Sequence, residues 1–474
     1  MTHDQKSKEA SPGGVERLAN FALSVSAQAI SPALLDRAKL LLLDTIGCGY
    51  AGLDEEAACA VVETMRDLGG APQCSVLGQT WKTNLANATL ANGVLIRAHD
   101  LNDYVVNAGG SIGGHPSDNI PVALAAGEMF GCSGREVLAS IVVGYEIFAR
   151  MRAAMDRKSP WDGVSVSGAV AAVTVGRLMG LDHNRMSQAI ALALAHCAVP
   201  AVVRSGDISA AKSIANALVA QSGVQAALLA AQGVTGPLEI FEHRRGLGSI
   251  FPNKEALMGL DALLGATPYI ENAMVKAYPC LATGQAAVAA GLQLHRLLAG
   301  DPSGISRIRV IMGDYPVIRE QQADPGRSNP LSREAADHSF QFLTSVALLD
   351  GAFGLRQFDN ERWNDPAVRA MMDRLDMEVD PALNARAPGL YPCALEARHM
   401  DGDIIRVEIL QPPGYSDAGL DETLILEKFN TLTREHLPAV ARRRIIDATL
   451  SLPAAQTCST LIAAMGDTVD PAQH

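Results

Sequence analysis

Five titratable residues, His99, Asp100, Asp103, His115 and Asp118, fall within twenty residues of one another. The stretch around them, residues 96–128, reads I-R-A-H-D-L-N-D-Y, then a glycine-bearing loop, then G-G-H-P-S-D-N and P-V-A-L-A-A-G-E. Residues 107–114 hold four glycines, and each would cost about 1 kcal/mol against alanine inside a helix. That segment reads as a loop held between two apolar helices. Carboxylates and imidazoles on a positioned loop suit proton transfer better than the same groups in a solvated run. Ser117 and Asp118 also have a plainer reading, as N-caps of the helix that Pro121 opens. Asp100, Asp103 and His115 are not explained that way, because no cap needs all three.

Cations and further candidates stand elsewhere in the chain. Lys212 lies in A-A-K-S-I-A-N-A, inside an apolar helical pattern. A lysine is rarely buried without a partner, and a snorkelling surface lysine is the alternative. Lys276, in V-K-A-Y-P-C, stands where the chain changes character, and clefts between domains are common ligand sites. Arg204, in V-V-R-S-G-D, is a third cation suited to a carboxylate. Asp162 follows Trp161 in S-P-W-D-G-V and reads first as a helix cap, and His338 in D-H-S-F-Q-F as a helix N-terminal residue.

The elements that must position these groups are mostly helical. Apolar residues recur at helical spacing over residues 33–50, 84–98, 121–129, 134–154, 165–179, 182–195, 210–232 and 256–264. Strand character is nearly absent before residue 300. It then appears as I-S-R-I-R-V-I-M over 305–312, a short segment at 377–379, and a hairpin over 395–410 around Asp401-Gly402. Helical pattern returns over 422–437 and 439–450. The expected fold is mostly α with an α+β lid. Residues 1–14 form a disordered tail, 15–267 the first part of a helical domain, 268–418 the lid, and 419–474 helices that rejoin the helical domain.

Composition sets limits on function. The 474 residues are 48% hydrophobic and only 4% aromatic, so the core is built from Ala, Leu, Val and Ile. A net charge of -12 offers no basic field for nucleic acid. No apolar signal core opens the chain, and the longest apolar runs are interrupted, so neither a secretion signal nor a membrane span is expected. Eight scattered cysteines without C-x-x-C argue against zinc and fit a reducing, cytoplasmic setting. There is no P-loop, no G-x-S-x-G and no dinucleotide fingerprint, so redox and ATP-using chemistry have little support.

The pieces H-D-L-N-D-Y…G-H-P-S-D-N, A-L-A-A-G-E, G-Y-E-I, K-S-I-A-N-A, G-V-Q-A-A-L-L-A-A-Q-G-V-T-G-P, K-A-Y-P-C, D-H-S-F-Q-F and L-E-K-F occur in that order. Together they resemble the MmgE/PrpD family, across residues 15–460. That family includes 2-methylcitrate dehydratase, cis-aconitate decarboxylase and iminodisuccinate epimerase. The resemblance implies a large helical domain from both chain ends, a smaller α+β lid and a homodimer through the helical domain. It implies site roles for Asp100, His115, Lys212 and Lys276, and aligns a tyrosine with Tyr315. The chain departs from many members at Tyr104, where they carry threonine, and at Asp162, where they carry histidine. The dehydratase branch is similar at more points, the aspartate at 162 included.

The resulting expectation is a cofactor- and metal-independent dehydratase of a small tricarboxylate, such as 2-methylcitrate. His115 is the first choice for base or acid. Asp100, Asp162, Lys212 and Tyr315 join it in catalysis, while Lys276, Lys212, Arg204, Asp103 and Tyr104 bind substrate. Decarboxylation, epimerisation and a non-catalytic carboxylate-binding role are the alternatives.

Overall fold

The computed structural model describes residues 12–105, 113–206, 208–253, 268–415 and 419–466. Helix α1 (Gly14–Ser24) is amphipathic and buries Val15, Leu18 and Phe21. It starts within the stretch expected to be a tail; residues 1–11 lie outside the described residues. Helix α2 (Pro32–Ala51) begins where Ser31 and Pro32 signal it. Ser31 Oγ accepts a hydrogen bond from the Leu34 amide, and Pro32 fills the first turn, where its missing N–H costs nothing. From Leu40 to Ala51 every residue of α2 is buried, so this helix is enclosed on all sides.

Around it stand α3 (Glu56–Leu68), α4 (Leu85–Arg97), α5 (Ile120–Phe130) and α6 (Gly134–Ala154). Next come α7 (Ser167–Leu178), α8 (His183–His196) and α9 (Ala211–Ala231). Helix α6 starts at a reciprocal cap between Ser133 and Glu136. Helices α7, α8 and α9 pack on one another, and α4 on α9. A Cβ on Gly223 of α9 would lie 2.2 Å from the Gly168 carbonyl oxygen, so two small residues permit the close α7–α9 approach. The helix expected over 256–264 lies outside the described residues.

Two-residue ladders join β1 (Cys74–Ser75) to β2 (Lys82–Thr83) and β3 (Tyr104–Val105) to β4 (Ala273–Met274), both antiparallel. A smaller unit follows, with α10 (Gln285–Leu297), β5 (Ile305–Gly313), α11 (Pro316–Ala323) and α12 (Phe340–Asp350). It continues through α13 (Pro366–Met372), β6 (Leu375–Asp380), β7 (Cys393–His399) and β8 (Ile404–Ile409). The strand order is β6-β5-β7-β8, with β5 and β6 parallel and the other pairs antiparallel. Helix α10 covers one face of this sheet. The other face carries cross-strand ion pairs, among them Arg309–Glu378 and Arg309–Glu396. The hairpin connection is longer than the two residues expected. Arg398 and Ile404 are the last pair, and the His399 amide donates to the Asp403 carbonyl. Gly402 closes it at φ +103°, a conformation open to glycine.

The chain then returns to the helical part through α14 (Glu422–Thr433), α15 (Ala439–Ser451) and α16 (Ser459–Met465). Helix α14 packs along α2, with Phe429 set against Gly47. One hydrophobic core runs from Val15 to Val275 and resumes from Ile425 to Ala464; another runs from Cys280 to Val407. The protein is thus mostly α with a small α+β part. Helix α9 is long and apolar enough to cross a membrane by length and composition alone. Here it is a core helix against α4, α7 and α8, with the Lys212 ammonium buried near its start. All eight cysteines are free thiols, and burial pushes those of Cys48, Cys74 and Cys197 up to about 12.

Candidate active site

The site is assembled at the end of α4. That helix stops after Arg97, and Asp100 takes a left-handed backbone, φ +49°, that few non-glycine residues adopt. Aspartate tolerates it better than most, and such strain is concentrated at functional sites. Four residues on, β3 pairs with β4 in the register Tyr104↔Met274. That short ladder brings Lys276, two residues past Met274, alongside Asp100 across 176 residues of sequence. The Val105 amide donates to the Gly114 carbonyl at 2.9 Å, which holds Gly114 beside β3 and so places the next residue, His115.

The Asp100 carboxylate is the hub. Its Oδ1 accepts from Arg97 Nη1 at 2.5 Å and from Lys276 Nζ at 2.5 Å. Its Oδ2 accepts from Lys212 Nζ at 3.1 Å. Lys276 Nζ also donates to the Asp100 carbonyl at 2.7 Å. Burial alone would raise this carboxyl's pKa, but Arg97, Lys212 and Lys276 hold it well below the usual carboxylate range. Asp100 is therefore a fixed anion and a poor proton acceptor.

Two imidazoles flank it. His115 Nε2 lies 3.7 Å from Oδ1, and His338 Nε2 lies 3.6 Å from Oδ2. His115 Nδ1 sits 2.5 Å from the Asp103 carbonyl oxygen, which can only accept, so Nδ1 carries the proton and Nε2 keeps its lone pair. Burial, then Arg97 and Lys276, hold His115 well below the ordinary histidine value. His338 Nδ1 bonds the Asp337 carboxylate, and burial with Lys212 lowers its pKa to about 4. Both rings are neutral near pH 7. Asp100, Asp337 and His338 present ligand atoms within 4.8 Å of one another, a spacing compatible with a metal ion. The Lys212 ammonium already contacts all three, at 3.1, 3.4 and 3.4 Å, and supplies the positive charge that this donor set would attract.

These groups open onto a cavity of about 220 Å³ between the two hydrophobic cores. Asp100, Tyr104, His115, Asp118, Asp162 and Arg204 line it from the helical part. Thr283, Gln321, Arg327 and His338 line it from the smaller unit, and Arg152 of α6 reaches in between Gly113 and Gly163. Pockets for drug-sized ligands start near roughly 300 Å³, so this one suits a small acid. A groove of about 750 Å³ near Trp161 and His243 is larger but lacks such a cluster.

Several expected residues are placed differently from the sequence reading. Lys212 and Lys276 stand behind Asp100 and are not among the cavity-lining residues; their charge is spent on that carboxylate. Asp103 is fully buried and turns away from the cavity, accepting from Ser117 Oγ at 2.5 Å and Tyr145 OH at 2.7 Å. Burial raises its pKa to about 7 against those bonds. Neither Ser117 nor Asp118 caps α5. Asp118 accepts from Asn102 Nδ2 at 2.6 Å and lies 3.7 Å from Arg97 Nε. Asp162 does cap the short Gly163–Val166 turn, and it also takes a hydrogen bond from Arg204 Nε at 2.6 Å. Arg204 is the main reason its pKa lies below the usual carboxylate value despite burial. Tyr315 OH accepts from the Gly389 amide at 2.7 Å, and its ring packs on Tyr391, which stands between it and Tyr104. His99 is turned away, with Nε2 2.8 Å from the Ala51 carbonyl. Sequence reasoning missed Arg97, Arg152 and Arg327 and undervalued His338. Arg97 had a signal, a lone cation in an otherwise apolar helix, the same signal that singled out Lys212.

Residues 16–258 match the MmgE/PrpD N-terminal domain and residues 278–452 the MmgE/PrpD C-terminal domain. The chain belongs to the MmgE/PrpD family. It is 26% identical over 392 residues to a cis-aconitate decarboxylase of Mus musculus, covering 79% of this chain and 77% of that protein. It is 24% identical over 443 residues to a cis-aconitate decarboxylase of Homo sapiens, covering 90% and 89%. It is 25% identical over 443 residues to a 2-methylcitrate dehydratase of Cupriavidus necator, covering 88% and 89%. Its relatives thus include both dehydratases and decarboxylases.

Proposed function

We propose that this protein is a lyase that removes water from a small tricarboxylate, 2-methylcitrate or a close analogue, without a cofactor or metal. The observation that carries the reading is the neutral His115 with Nε2 unprotonated at the cavity wall, beside a carboxylate that cannot itself take the proton. In this scheme Nε2 accepts the proton α to a substrate carboxylate. The C–H electron pair forms the new double bond, the C–O bond breaks, and the imidazolium returns its proton to the departing hydroxyl as water. Asp100 stabilises the transient imidazolium across 3.7 Å. The arginines of the cavity hold substrate carboxylates and the negative charge that develops on the enediolate. The buried thiols fit a reducing compartment, and we place the protein in the cytoplasm.

Decarboxylation of cis-aconitate is the second reading, favoured by relatives of that name at 26% and 24% identity, against 25% for the dehydratase. One experiment separates them. Citrate, 2-methylcitrate, cis-aconitate and iminodisuccinate are each incubated with the enzyme in deuterated water containing EDTA and followed by proton NMR. Dehydration gives a new vinyl or methyl signal from the hydroxy acids. Carbon dioxide release from cis-aconitate selects decarboxylation. Exchange at the α carbon with inversion and no new double bond selects epimerisation. Activity lost to EDTA and restored by a divalent metal would count against the mechanism.

A further inference from the structure

The lysines expected to hold substrate carboxylates are engaged with Asp100, so the cavity must recognise anions with other groups. Three guanidinium groups line it: Arg152, Arg204 and Arg327. Their circumstances differ. Arg204 is bonded to Asp162 at 2.6 Å. Arg152 Nε reaches the Gly113 carbonyl at 3.4 Å and its Nη1 the Met155 sulfur at 3.1 Å. Arg327, from the short Pro325–Ser328 helix of the smaller unit, is 8% exposed. It makes two long bonds, Nε to Asp324 at 3.4 Å and Nη2 to the Arg204 carbonyl at 3.3 Å. Its Nη1 is buried and has no hydrogen-bond partner among the described residues. Other buried arginines also leave nitrogens unpartnered, among them Arg97, Arg177 and Arg333, but of these Arg327 alone lines the cavity.

A buried unpartnered donor on a charged group costs free energy that a ligand can recover. A guanidinium fork matches a carboxylate in a bidentate way that an ammonium does not. We propose that Arg327 is a carboxylate-binding residue that engages the third carboxylate of a tricarboxylate and so discriminates tri- from dicarboxylates. Arg152 and Arg204 then meet the other two. The proposal rests on the reading of the substrate as a small polycarboxylate. Because Arg327 comes from the smaller unit and bonds the Arg204 carbonyl of the helical part, a third carboxylate also ties the two sides of the cavity together.

The test is binding without turnover. Titration calorimetry compares propane-1,2,3-tricarboxylate, which has no hydroxyl to lose, with pentanedioate, which has the same chain length and two carboxylates. Arg327→Gln is expected to weaken the tricarboxylate by about tenfold or more while changing pentanedioate by less than about threefold. Arg327→Lys, which keeps the charge but not the fork, is expected to lie between. It also serves as the test if Arg327→Gln melts below the assay temperature. Equal losses for both acids, or no loss for the tricarboxylate, would overturn the proposal, as would a wild-type protein that ignores the tricarboxylate at millimolar concentration. Tight tricarboxylate binding with none of the four candidate acids turned over would leave Arg327 in its role and sink the lyase reading alone.

Discussion

His115 shows how much a single contact decides. Its Nδ1 faces a backbone carbonyl, so the tautomer is set and the lone pair on Nε2 is the one available for chemistry. Replacing it with asparagine keeps the Nδ1-side hydrogen bond but removes the base. We expect kcat to fall by roughly 10² to 10⁴, with a smaller change in KM. The pH dependence follows from the direction of its shift. Only neutral His115 accepts a proton, and burial with Arg97 and Lys276 holds its pKa below the ordinary 6.5. Activity is therefore retained as pH falls through 6.5 and lost only at lower pH. A profile of kcat/KM whose acidic limb lies above 6.5 would assign the limb to another group. Asp100, a carboxylate facing three buried cations, is an organiser of charge, and its replacement, which takes from Lys276 the carboxylate it pairs with, is expected to cost roughly 3–5 kcal/mol.

At the scale of elements, the cavity wall depends on where helices start. The turn Gly163–Val166 begins at Asp162 and leads into α7, and Gly163 faces the Arg152 guanidinium of α6. A Cβ on Gly163 would lie 2.3 Å from Arg152 Cζ, which is the flexible end of a side chain. Gly163→Ala should therefore displace the arginine and leave the helices in place. The expected outcome is a KM raised about tenfold, the loss of one charge-assisted contact of roughly 1.5 kcal/mol, with a melting temperature within a few degrees of wild type. Unchanged KM would show that Arg152 does not meet the substrate. The β3–β4 ladder is the other element that matters. Two residue pairs suffice to set Lys276 against Asp100, and no hydrophobic alternation over so short a length announces it.

At the scale of the whole molecule, the helical part and the smaller unit each have a core, and the cavity lies between them. Helix α9 leaves Leu218 and Leu229 about half exposed, eleven residues and so three turns apart, on one side of the helical part. With two-fold pairing the commonest closed assembly, we expect a homodimer through the helical part. Light scattering at micromolar concentration should give the mass of two chains. A monomer would refute the assembly and leave the chemistry intact, since every proposed group comes from one chain.

Much of this protein is determined by local pattern. Helical periodicity, caps such as Ser31 and Ser133, and the β-branched run at Ile305 are written within a few residues, because backbone propensity and capping act at that range. The cluster of Asp100 and His115 was legible for the same reason. Tertiary structure alone decided which way each group points. Asp103 is one turn of chain from Asp100, yet one faces Ser117 and Tyr145 and the other the cavity. The parallel β5–β6 pair closes over a crossover of several helices, which no local signal encodes. Lys212 and Lys276 looked like substrate clamps until the fold set both against one carboxylate, and Arg327 acquired its place at the cavity only when the two cores met. Long-range packing settles such matters because the charge balance of a buried group depends on neighbours more than a hundred residues away in the chain.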